Sequence, residues 1–128
     1  MKLAEYFEKN AGIGVLATAD DKGIVNAALY ARPHFMNEET IVFIMADRLS
    51  HNNLQSNPHA AYLFLESGDK SVGKRMHLTK IKEEKDSPLI ATLRRRKTYA
   101  EKKSLESETK YLVYFRIDKV LPLVGERE

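Results

Sequence analysis

Four polar side chains, Arg48, Ser50, His51 and Asn53, follow the apolar stretch at residues 41–46 and open a segment that Pro58 stops. A strand that gives way to a helix here leaves backbone N–H groups without intrahelical partners and turns the positive end of the helix dipole outward. An arginine and a hydroxyl beside that end complete a pocket for a phosphate group. Ser50 also reads as the N-cap of a helix running to residue 57, and capping and phosphate binding are compatible roles. Upstream, the strand at 24–32 puts Asn26 on one face with Ile24, Ala28, Tyr30 and Arg32, a face too polar for a plain core strand. An amide inside a strand needs a partner, because an unsatisfied buried one costs about 1–3 kcal/mol.

Other chemistries find less support. Cysteine is absent, which removes disulfides, thiolate metal sites and thiol nucleophiles. The four histidines show no HxxxH or HExxH spacing, so no dedicated metal site is expected. Ser50 and His51 are adjacent, which is poor geometry for a serine–histidine pair. No GxSxG, GxGxxG or phosphate-loop signature occurs. No general acid or base stands out, and the catalytic residues stay unassigned.

The elements that position these residues follow from periodicity and turn signals. Leu3, Tyr6 and Phe7 recur at helical spacing, so the first ten residues read as a short amphipathic helix. A strand at 13–19 and the strand at 24–32 flank Asp20-Asp21-Lys22-Gly23, a hairpin turn in which glycine supplies positive φ. Pro33 ends regular pairing, and Asn37-Glu38-Glu39 turns the chain into a buried strand at 41–46. Strands at 60–66 and 74–83 follow, separated by a polar loop at 67–73; Met76 and Leu78 lie on one side of the later strand, His77, Thr79 and Ile81 on the other. Ser87-Pro88 starts a helix reaching about residue 103, and two last strands, 111–117 and 120–124, are broken near Asp118. Six or seven strands with three marginal helices predict a mainly β (α+β) fold, a small antiparallel barrel in a single domain over residues 1–128.

Hydrophobic residues at 43% and charged residues at 30% describe an ordinary soluble globular chain of 128 residues. The start, MKLAEYFEKN, carries acidic residues where a signal peptide needs an apolar core. The run at 41–46 is far too short to cross a bilayer, so a cytoplasmic protein without a membrane partner is expected. The net charge of +3 is mild, with its excess at Arg94, Arg95, Arg96, Lys97, Lys102 and Lys103. Glu101, Glu106 and Glu108 offset this cluster, which reads as a solvated helix face. No specific nucleic-acid partner is expected, since no groove-reading motif accompanies it.

The order of elements from residue 23 to 66, GIVNAALYARPHFMNEETIVFIMADRLSHNNLQSNPHAAYLFLE, resembles the pyridoxamine 5′-phosphate oxidase-like family, the FMN-binding split barrels. The tail YLVYFRIDKVLPLVGERE resembles the end of the same family, so the likeness covers most of the chain from about residue 13 to 125. It implies a six- to seven-stranded split β-barrel with peripheral helices, FMN as cofactor, and a homodimer with a flavin at each shared site. By that resemblance Asn26, Arg48, Ser50, His51 and Asn53 hold the phosphate end. The backbones of Ala27, Ala28, Phe43 and Ile44 lie along the flavin, and Arg75 reaches it from the partner subunit. Tyr30, Arg32 and His34 line the place of a small-molecule substrate or an electron donor such as NAD(P)H. Two departures stand out: Ser50 occupies a position where many members carry lysine, and Lys80 one where glycine is common. The leading expectation is an FMN-dependent oxidoreductase. The alternative is a non-catalytic flavin or haem carrier on the same barrel, with His34 and His77 as candidate axial ligands. A nucleic-acid or protein interaction domain built on the basic helix at 94–103 ranks third.

Overall fold

Asp20 builds the first hairpin as its turn sequence predicts. Its carboxylate accepts from the backbone N–H groups of Lys22 and Ile24 at 2.8 and 2.9 Å. Gly23 takes a φ of 83°, a conformation that a Cβ would strain. The computed structural model describes residues 2–68, 71–93 and 109–124. Helix α1 (Leu3–Lys9) leads into β1 (Gly12–Ala19) and β2 (Val25–Leu29), the two arms of that hairpin. The remaining elements are β3 (His34–Phe35), β4 (Thr40–Ala46), α2 (Leu49–Ser56), β5 (His59–Glu66), β6 (Gly73–Lys85), α3 (Leu89–Leu93) and β7 (Lys110–Pro122).

Among the described residues the strands form one antiparallel sheet in the order β2-β1-β5-β6-β7-β4-β3. Its two ends curl toward each other. Tyr30, just past β2, meets Phe43 on β4 edge-to-face with ring centroids 5.8 Å apart, although four strands separate β2 from β4 in the sheet order. Helix α2 lies over this gap, packed on β1, β2 and β4. The result is a barrel split between β2 and β4, with α2 across the opening.

Alternation along the strands fills the inside. Leu16, Phe43, Met45, Tyr62, Phe64, Met76, Leu78, Val113 and Phe115 are buried there, and Phe7 of α1 plugs one end. A second, smaller layer packs outside, where Ile90 of α3 covers Val42, Leu112 and Tyr114.

Three expectations need correction. Pro33 does not end pairing for good: His34 and Phe35 pair with Val42 and Ile41 as a two-residue edge strand, too short to show period-two alternation. Residues 110–122 form one strand rather than two, because Asp118 is an extra residue opposite the His77–Leu78 step. A bulge absorbs the charged residue without ending the ladder. Regular pairing of β2 stops at Leu29, earlier than the predicted residue 32, although the N–H of Tyr30 still reaches the Gly14 carbonyl at 2.9 Å. Of the helix predicted from Ser87-Pro88, the part from Arg94 onward, with the whole basic cluster, lies outside the described residues.

Candidate anion-binding site at the barrel split

The chain leaves β4 by a tight reversal in which the N–H of Arg48 donates to the Ala46 carbonyl at 2.9 Å. That reversal starts α2 one residue after Arg48, so Arg48 is the N-cap and Ser50 falls inside the first turn. This corrects the N-cap expected at Ser50. No side chain caps α2, and its first-turn N–H groups remain available to an external acceptor. Ser50 is buried and shares a hydrogen bond with the Tyr30 hydroxyl, and the Arg48 guanidinium is close enough for its charge to act on the same phenol. Burial raises the Tyr30 pKa, while the Ser50 bond and the Arg48 charge pull partly against it. Tyr30 is therefore a neutral phenol at neutral pH, able to donate as well as accept.

Asn26 lies on the inner face of β2, half-buried, directly across from Thr18 on β1. Thr18 is itself buried, and its hydroxyl accepts from the Asn53 side-chain amide at 3.1 Å. Asn53 thus fastens α2 to the hairpin that carries Asn26. At the other end of α2, the Asn57 side-chain amide donates to the Asp20 carbonyl at 3.3 Å. Ala28 points inward with Asn26, and Ala27 is exposed on the outer face.

Two residues that sequence reasoning passed over hold the end of β2 in place. The Tyr62 hydroxyl crosses the barrel to the carbonyls of Tyr30 and Ala31, at 3.3 and 3.1 Å. It fits only because position 14 is glycine: a Cβ there would sit 1.9 Å from that hydroxyl oxygen. Gly14 falls among apolar residues within a strand, a pattern that marks a close approach, so the sequence did carry a signal.

The structure thus brings Arg48 and Ser50 to Tyr30, whose ring meets Phe43 edge-to-face, with Asn26 and Asn53 both neighbours of Thr18. Other expected site residues lie elsewhere. His51 faces away, stacked on Tyr111 at 3.8 Å with its Nε2 3.0 Å from Glu83. Burial alone would raise the Glu83 pKa, yet hydrogen bonds from Gln55, Lys80 and His51 with the His51 charge bring it down to about 2. Arg32 donates to the carbonyls of Phe7 and Asn10 at 2.7 and 3.2 Å and so secures the end of α1. Ile44 packs on the outer layer. Arg75 lies on the outer face of β6, its Nε donating to the Pro122 carbonyl at 2.8 Å. His34 on β3 and His77 on β6 are separated by β7 and β4 in the sheet order. Among the described residues, no three His, Cys, Asp or Glu side chains group as metal ligands would, and no helix is long and apolar enough to cross a membrane.

No family model and no curated protein sequence matches the chain, whereas solved structures do. An FMN-binding protein of Syntrophomonas wolfei superposes with a TM-score of 0.69 at 19% identity, over 98% of this chain and 86% of that one. A candidate pyridoxamine 5′-phosphate oxidase of Lactobacillus delbrueckii gives 0.63 at 13% identity, over 92% and 88%. A haem-binding protein of Mycobacterium smegmatis gives 0.63 at 20% identity, over 99% of this chain and 55% of that one. The fold is that of the pyridoxamine 5′-phosphate oxidase-like split barrels.

Proposed function

We propose that the chain binds FMN at the barrel split, as a homodimer, and works as an oxidoreductase. The observation that carries this reading is the Arg48, Ser50 and Tyr30 cluster at the uncapped start of α2, on a fold shared with an FMN-binding protein. Arg48 supplies a permanent positive charge for the 5′-phosphate. Ser50 and the first-turn N–H groups supply neutral donors, and the neutral phenol of Tyr30 supplies another. The missing lysine at position 50 leaves Arg48 as the charged member of this set. Small side chains at Ala27 and Ala28 allow the flavin ring close to the β2 backbone, where Asn26 offers an amide. FMN, when bound, supplies electron and hydride exchange between a donor such as NAD(P)H and a small-molecule substrate.

The outer face of the β2-β1-β5 sheet offers a surface for the second copy. Ile13, Val25, Leu29, Leu63 and Leu65 all project there and are exposed, Val25 to 78% and Leu29 to 74%. A contiguous aliphatic face of this kind marks an association surface, and a sheet face pairs with its own copy about a two-fold axis. Arg75 lies opposite Leu63 at the border of the same face, so it is the residue that would reach a cofactor on the other copy.

Anaerobic titration of FMN-loaded protein with NADH, NADPH and dithionite tests the redox part. Bleaching of the flavin band by a pyridine nucleotide, restored by an acceptor, is expected. Reduction by dithionite alone would leave an FMN carrier. The competing haem reading has the fold of the haem-binding neighbour in its favour, and a Soret band in the purified protein would establish it against FMN.

A further inference from the structure

We infer a second small-molecule site, on the outer face of the sheet, for a planar aromatic carboxylate. A cavity of about 590 Å³ opens there between Ala17 and Val25 on one side and His59, His77 and Lys119 on the other. That volume lies within the range of small-ligand sites. The strand register explains the shape. Ala27, Ala17, Ala61, His77 and Lys119 lie in one cross-strand row, and Val25, Ala19, His59 and Thr79 include the row beside it. Alanines give a flat floor, on which a ring can lie, while the imidazoles and the ammonium stand at the rim.

The charge pattern selects an anion. Asp118 borders the cavity, but its carboxylate is already engaged: Arg116 Nε donates to one oxygen at 2.7 Å, and the Thr79 hydroxyl donates to the other. Asp20 commits its side chain to its own turn. What faces a ligand is therefore Lys119 with His59 and His77. The hydrogen-bond chain also fixes one tautomer. Thr79 has a single proton and gives it to Asp118, so its oxygen can only accept from His59 Nδ1, 3.5 Å away. Nδ1 of His59 carries the hydrogen, which leaves the Lys119 ammonium as the donor to a carboxylate.

The cavity stands in the single chain, without reference to the flavin reading. Its neighbours do bear on the proposed dimer. Leu29 and Leu63 fill the row adjoining the alanines on one side, with Ile13 and Leu65 in the row beyond, so a second copy resting on those large side chains borders the cavity.

The test is an NMR titration of the full chain with 2-naphthoate and with its neutral counterpart, 2-naphthalenemethanol. The expected result is amide shifts centred on Ala17, His59, Ala61, His77 and Lys119, with the carboxylate bound at least tenfold more tightly than the alcohol. His59→Gln with Lys119→Gln should weaken naphthoate about tenfold and leave the alcohol unchanged. Both side chains are exposed, so the variant keeps its fold. FMN binding, followed separately by flavin fluorescence, should be the same in wild type and variant, since Arg48 and Ser50 are untouched. Equal affinity for the two probes, shifts centred on Tyr30 and Ser50, or undiminished naphthoate binding by the double variant would each overturn the assignment.

Discussion

Leu29→Lys should separate the two copies of the proposed dimer without unfolding either. Leu29 is 74% exposed in the single chain, so its replacement there costs within about 0.5 kcal/mol, as for ordinary surface positions. In the proposed dimer the exposed face of the leucine would be covered, worth about 1.5–2 kcal/mol per copy by area. Two-fold symmetry counts that change twice, for about 3–4 kcal/mol. A lysine in its place adds the cost of an ammonium inside an apolar contact. At 1.4 kcal/mol per tenfold, the dimer dissociation constant rises by at least about 100-fold. Sedimentation equilibrium over a micromolar concentration series reads that shift, and circular dichroism checks the fold. A folded Leu29→Lys chain that dimerises as tightly as wild type would refute the assignment of this face.

Arg48→Ala should weaken FMN by about 10- to 100-fold, the worth of one charge-assisted hydrogen bond, and flatten the salt dependence of binding; riboflavin affinity should not change. Gly14→Ala should destabilise the chain by about 1–3 kcal/mol through overpacking, since the added Cβ would meet the Tyr62 hydroxyl at 1.9 Å; a lowered thermal midpoint checks it. Glu83 titrates at about 2 when folded against 4.5 for the ordinary group. A depressed folded pKa gives stability that is complete above pH 4.5 and fades as pH falls toward 2. Glu83→Gln should flatten that part of the acid unfolding curve, while an unchanged acid limb would show that the Gln55, Lys80 and His51 bonds contribute nothing.

Local signals carried much of this architecture. The Asp20 to Gly23 turn, the inner face of β2 and the presence of α2, though not its N-cap, were legible because each rests on neighbours in sequence. Met76 and Leu78 read correctly as one face of a strand for the same reason. What escaped depended on distant partners. His51 reads as a phosphate-side residue until Glu83 and Tyr111, far along the chain, are seen to hold it on the opposite side of α2. Arg32 reads as a pocket residue until the end of α1 arrives beneath it. Asp118 looks like a strand break because a bulge needs a partner strand to define it. Tyr62 and Thr18 carry no mark of their own, since an apolar strand context hides a hydroxyl that crosses the barrel.

FMN and riboflavin differ only in the phosphate, so comparing their affinities isolates what the start of α2 contributes to binding. Isothermal titration of the two into the same protein should show one FMN per chain. With Arg48 and Ser50 each giving about 1.5–3 kcal/mol to the phosphate, FMN should bind at least about 100-fold more tightly than riboflavin. Equal affinities, or no binding of either, would contradict a phosphate anchor at the start of α2.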